Sequence, residues 1–185
     1  MAGPDRIEGY AIVSADGMIA DADGVQPEVL KPEADQRLFY GALEHADAVV
    51  HGRNSSEAGA SAAARKRLIA TRKIRGALPD PDNPNAVLWN PETATLDQAW
   101  SLLGLDGGRL VVIGGTEMFG HFLAHGYDAF SLTTAPKVRL SGGRPVFPGI
   151  PPATPDDRLR AAGYRTGAMQ ILDSAEALTL VTWRR

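Results

Sequence analysis

Four consecutive apolar residues, Leu110-Val111-Val112-Ile113, run directly into a glycine pair, Gly114-Gly115, and then into Thr116-Glu117. A strand that is apolar at every position belongs where both faces of the sheet are covered, which is the setting of a central strand flanked by helices. The glycine pair ends the strand. Thr116 then opens a helix with Phe119, Phe122 and Leu123 on one side.

The rest of the chain repeats that alternation. A β-branched run over 7–13 ends at Asp16-Gly17, and a polar loop follows over 20–32. Pro32 with Glu33 and Asp35 suits a helix start, with Leu38, Phe39, Ala42 and Leu43 at helical spacing. A strand over 47–51 meets Gly52 and a helix with Asn54 or Ser55 as its N-cap. Short strands are expected over 68–71 and 86–89, separated by a turn-rich stretch over 78–84. A helix from Thr95 or Asp97 runs through Trp100 to Leu103 and stops at Gly107-Gly108. One more strand covers 129–133. After a proline-rich loop over 142–155, residues 158–172 and 177–184 read as a closing antiparallel pair. The sum is one domain over 1–185, a three-layer α/β/α sandwich with a mostly parallel sheet and an antiparallel C-terminal pair.

Composition narrows the function. Nineteen basic against twenty-two acidic side chains give a formal charge of -3, which argues against a nucleic-acid partner. Cysteine is absent, so disulfides, thiolate metal sites and a cysteine nucleophile are excluded. The first residues lack the apolar core of a signal peptide, and no run is long enough to span a bilayer. The expectation is a soluble, cytoplasmic protein without a membrane partner.

Two strand–glycine–helix junctions, Gly52-Arg53-Asn54-Ser55 and Gly114-Gly115-Thr116-Glu117, offer close backbone approach and free amides to an anion. Neither is a G-x-G-x-x-G fingerprint or a P-loop, and each alone is also what a chain reversal in an α/β fold requires. Both at strand C-termini favour a dinucleotide. Thr71-Arg72-Lys73 is a third strand-end site, where a guanidinium acting with Arg53 would hold the 2′-phosphate of NADPH. It reads equally as a solvated basic turn. Asp35, as a carboxylate in a partly dry cleft, can hold an N–H edge and help deliver a proton, supported by Thr133. The other reading of Asp35 is a first-turn acid serving the helix dipole. His121 and His125 have zinc-ligand spacing but neither the intervening acid nor a third ligand, so no metal is expected.

Several segments together resemble the dihydrofolate reductase superfamily, which includes the reductase domain of bacterial riboflavin biosynthesis. They are Asp16-Gly17-Met18-Ile19-Ala20, the run from Ala46 to Asn54, Val111 to Phe119, Leu132-Thr133-Thr134, and Gly142 to Pro148. The resemblance implies a dihydrofolate reductase-like fold and an NADPH-dependent reductase that moves a hydride to a small pterin-like or ribosylaminopyrimidine-like substrate. It places a cis Gly114-Gly115 peptide, with Thr116, Glu117, Met118 and Phe119 beyond it, against the cofactor. Gly52 to Ser55 and Thr71-Arg72, with Lys73, form its phosphate turns, and Ile12 and Ile19 lie near the nicotinamide. Substrate contacts fall on Asp16, Asp35, Arg65 and Thr133, with Glu33 as a competitor for the acid. The folate enzymes' Trp-x-x-Pro segment and the riboflavin enzymes' Asp-Asp-Pro segment are both missing. A non-catalytic nucleotide-binding or assembly protein on the same fold is the alternative, and a homodimer is left open.

Overall fold

The computed structural model describes residues 2–55 and 61–185. In chain order these form β1 (Arg6–Ser14), β2 (Met18–Ala20), α1 (Glu33–Glu44), β3 (Ala48–Gly52), β4 (Arg67–Ala70), β5 (Ala77–Pro79) and β6 (Ala86–Trp89). There follow α2 (Leu96–Leu102), β7 (Arg109–Gly114), α3 (Thr116–His125), β8 (Ala129–Ala135), β9 (Arg144–Pro145), α4 (Pro155–Ala161), β10 (Arg165–Asp173) and β11 (Leu178–Arg184). The helix expected after Gly52 falls partly on 56–60, outside the described residues; residues 61–64 form a turn.

Nine strands make one sheet in the order β10-β11-β8-β1-β7-β3-β4-β6-β5. From β8 through β6 neighbouring strands run parallel, whereas β10, β11 and β5 are antiparallel to their neighbours. β7 is the fifth of the nine, the central place its unbroken apolar run requires. Its side chains alternate between two cores. Leu110 and Val112 join α2, α3 and α4 on one face, while Val111 and Ile113 join Leu43 and Phe39 of α1 on the other.

The closing antiparallel pair is present as β10 and β11, but its first strand begins later than the expected residue 158. Residues 158–161 belong to the helix α4, because Thr154 accepts from the amide of Asp157 at 3.1 Å and Asp157 accepts from the amide of Thr154 at 2.9 Å. Pro155 fills the first helical position, where no amide is needed. Leu159 is fully buried and the Arg160 guanidinium lies 5.4 Å from the Trp183 ring. β5, three residues at one margin of the large sheet, and β9, two residues paired with β2 in a separate ribbon, also escaped the sequence pattern.

Candidate active site

The chain winds outward through β3, β4 and β6, then returns to set β7 between β1 and β3. Parallel strands of this kind present their carboxyl ends, and the loops beyond them, to ligands. On the α1 face the core divides into two small clusters, one around Leu43, Val49 and Val111 and one around Ile12, Leu30 and Ala135. Between them lies a cavity of about 500 Å³.

Its walls come from α1, the middle of β1 and β8, the end of β7, the β2 segment with the following loop, and the turn after β3. Asp35 lies in the third position of α1 and faces this cavity at only 6% exposure. Among the described residues its carboxyl has no ion-pair partner, and burial pushes it above the ordinary aspartate range. The nearby Thr133 hydroxyl opposes that shift without reaching normal hydrogen-bond geometry, so this buried oxygen still wants a partner. A carboxyl poised to change protonation beside an unsatisfied hydroxyl can hold a polar N–H edge and pass a proton.

Ile12 and Ile19 supply an apolar wall near that pair. The floor is Tyr10, whose hydroxyl donates to Glu8 at 3.0 Å and accepts from Arg109 at 3.0 Å. Glu8 also pairs with Arg6 and Arg109. Burial opposes ionisation of Glu8, but the hydrogen bonds from Arg6, Arg109 and Tyr10 outweigh it and hold its carboxyl below the usual range. Sequence reasoning missed Tyr10, Phe39, Ile113 and Ser131. The signals were present: Tyr10 shares the strand face of Ile12, and Phe39 stands one helical turn beyond Asp35.

At the open end the backbone is bare. The Gly114–Gly115 peptide is cis. A Cβ on Gly52 would stand 4.0 Å from the Gly115 amide, and one on Gly115 would stand 3.2 Å from Ser55 Oγ. Gly115 is the N-cap of the ten-residue α3 and provides no side-chain cap, so the first amides of that helix face outward without a partner of that kind. This cradle, with Asn54 and Ser55 at the cavity edge, fits a phosphate-bearing group.

Other expected residues stand elsewhere. Asp16 is a turn residue, accepting from Ser14 Oγ at 2.5 Å and the Leu140 amide at 3.0 Å, and it is not in the cavity wall. Arg65 donates to the carbonyl of Leu43 at the far end of α1, away from the cavity. Met118 is packed into the core on the opposite sheet face. Phe119 shares that core but reaches the cavity as well, its ring abutting Gly114. Thr116 donates to the Pro145 carbonyl. Thr71 Oγ1 accepts from the Lys73 amide at 3.2 Å, closing the turn beyond β4. Arg72 is exposed and stands 3.0 Å from Glu92 and 3.6 Å from Glu117, two carboxylates a bound phosphate would compete with. Arg53 is exposed and, among the described residues, makes no ion pair.

This sheet order with helices on both faces is the dihydrofolate reductase-like fold, as solved structures show. A protein assigned to riboflavin biosynthesis in Shewanella sp. PV-4 superposes with a TM-score of 0.66 at 19% identity, covering 97% of this chain and 98% of that one. Dihydrofolate reductase of Enterococcus faecalis, solved with NADP(H), gives 0.65 at 14% identity over 100% and 99% of the two chains. The diaminohydroxyphosphoribosylaminopyrimidine deaminase/5-amino-6-(5-phosphoribosylamino)uracil reductase of Thermotoga maritima gives 0.66 at 18% identity, covering 98% of this chain and 56% of its own. No protein-family model matches the sequence, and no curated protein matches it.

Proposed function

We propose that this chain is a reductase that transfers a hydride from NADPH to a small heterocycle held against Asp35. The observation that carries this reading is the buried, unpaired Asp35 carboxyl facing the Thr133 hydroxyl at one end of a cavity whose other end is the glycine cradle. NADPH, when bound, supplies the hydride. Gly114, Gly115 and the first amides of α3 hold its phosphates, and Arg53 rather than Arg72 is the guanidinium available to the 2′-phosphate. Ile12 and Ile19 keep water from the reacting face. The protonated Asp35 carboxyl would accept the N–H edge of the substrate at its carbonyl oxygen and give its own proton to a ring nitrogen, with Thr133 orienting the carboxyl.

The test is tight NADPH binding followed by turnover with dihydropterins and aminopyrimidine ribosides, read as loss of the reduced nicotinamide absorbance. Binding without turnover on either class would favour a non-catalytic nucleotide-binding protein. Arg53→Ala is expected to weaken NADPH by about 1–3 kcal/mol through the lost charged hydrogen bond, with NADH barely affected. Equal weakening of both cofactors rules out the 2′-phosphate role.

A further inference from the structure

β3 carries one side chain that its place in the sheet does not call for. Ala48, Val49 and Val50 are apolar and fully buried, as a strand covered on both faces requires, but His51 follows them at 4% exposure. A buried imidazole needs partners for both ring nitrogens. His51 has them. Its Nε2 lies 3.2 Å from Nη1 of the equally buried Arg67, and its Nδ1 lies 2.8 Å from the carbonyl oxygen of Gly52. Alternation along β3, and the pairing of Val49 with Arg67 on β4, put both side chains on the α1 face.

These two contacts determine where the ring proton sits. A guanidinium only donates, so Nε2 is the acceptor and the hydrogen is on Nδ1, which donates to the Gly52 carbonyl. The same oxygen accepts the Ser55 amide at 3.1 Å. The Gly52 carbonyl is thereby occupied from within the protein. Across the trans peptide the Arg53 amide points the opposite way, away from the buried ring. Arg67 also donates to the Ala62 carbonyl, which holds its guanidinium from a second side. His51 reaches the other half of the glycine cradle through the sheet: it pairs with Gly114, where β7 skips a residue relative to β3.

We propose that His51 is the positioning residue of the phosphate cradle. The donor chain from Arg67 through His51 to Gly52 fixes the 52–53 peptide so that its amide, with the bare backbone of Gly114 and Gly115, serves the anion. This rests on the cradle assigned above to the phosphates of NADPH, but not on hydride transfer. A Gly52 carbonyl turned outward would set a partial negative charge against a phosphate, so losing the Nδ1 bond is felt in anion binding. The ring is not part of the cavity wall and acts through Gly52.

Two substitutions separate the two bonds of the ring. Asparagine sets an amide nitrogen where Nδ1 stands, keeping the donor to Gly52 and losing the acceptor for Arg67. Glutamine brings its carbonyl oxygen to the place of Nε2, keeping the acceptor and losing the donor. His51→Asn should therefore bind inorganic pyrophosphate and NADPH within about threefold of wild type, although it melts lower. His51→Gln should melt closer to wild type yet bind both at least tenfold more weakly, with kcat at saturating NADPH retained. If the histidine served stability alone, affinity would follow melting temperature. His51→Asn as the weaker binder thus overturns the proposal, and equal affinities in the two variants do so as well. The nitrogen NMR spectrum of the ligand-free wild type needs no variant to fold: a proton on Nδ1 of His51 is expected, and one on Nε2 overturns the proposal. Pyrophosphate affinities in the expected order, with NADPH never oxidised by any heterocycle, uphold His51 and remove the reductase reading. A wild type that binds neither pyrophosphate nor NADPH overturns the role given to His51.

Discussion

Asp35 joins position, burial and a proton in one side chain. Its folded-state pKa is raised by burial, so the folded chain binds its proton more tightly than the unfolded chain does. Stability therefore declines as pH climbs from the ordinary aspartate value through the raised folded value, then levels off. Once ionised, the buried carboxylate opposes folding. Asp35→Asn, which cannot ionise, should then melt no lower than the wild type at neutral pH, while kcat/KM falls at least tenfold, about 1.4 kcal/mol of transition-state stabilisation. NADPH affinity should not change. A carboxylate that only served the helix dipole would give the reverse: about 0.3–1 kcal/mol less stability and unaltered turnover. Gly115 separates cofactor from fold in a similar way. Its Cβ would press on Ser55 Oγ, a side chain free to rotate, and its own φ of -82° is open to any residue. Gly115→Ala should cost at least tenfold in NADPH affinity by intruding on the cradle, with a melting temperature close to wild type. A large loss of stability with binding retained would remove the cradle assignment.

At the scale of elements, β1 shows how one strand serves both stability and the site. Arg6, Glu8 and Tyr10 share a face, and Arg109 of the neighbouring β7 closes the network. Because Glu8 is held below the usual carboxylate range, the stability it contributes is present above an ordinary glutamate pKa and is lost as pH falls through the folded value. Arg6 is half-exposed, so the network is screened on one side. Glu8→Gln should therefore cost about 1–2 kcal/mol at neutral pH in urea titrations, and the difference from wild type should shrink in acid. A pH-independent difference would mean packing rather than charge. Such a network spans a hundred residues of sequence, and for that reason it was not legible there, whereas β7 was, since its four apolar residues need no partner to be read. Thr95 and Gln98 likewise mark the start of α2 locally and form its capping box. The same signal at Thr154 and Pro155 begins α4, but it sits at the end of a proline-rich loop, where the prolines read as turn. The cavity divides in the same way. Gly114 and Gly115 were marked by local chemistry and Asp35 and Thr133 by the family resemblance, while Asp16 and Arg65 turned inward to backbone partners that only the folded chain supplies.

The whole molecule is unequal across its sheet. Twenty-eight buried residues form a continuous core with α2, α3 and α4, whereas the α1 face holds clusters of four and three with the cavity between them. Burial of apolar surface is the main stabilising contribution to a fold, so the face with the interrupted core should open first. α1 has no side-chain N-cap and Asp35 faces the cavity, so its first turn is fastened less than its last, where Phe39, Tyr40, Ala42 and Leu43 pack and Arg65 donates to the Leu43 carbonyl. We expect the α1 amides to exchange with solvent by local opening, at least tenfold faster after correction for intrinsic rates than those of β7, which requires global unfolding. A ligand that fills the cavity binds only the closed state and should slow α1 exchange by the factor 1 + L/Kd, with L the free ligand concentration, about 2.7 kcal/mol at a hundredfold excess over Kd. Global unfolding also abolishes the site, so β7 should be slowed by the same increment and its ratio to α1 should stay constant. Exchange measured residue by residue, with NADPH alone and with NADPH and a bound heterocycle, checks both increments. If α1 and β7 exchange at one rate without ligand, the two faces unfold together, and the cavity is no weak point of the fold.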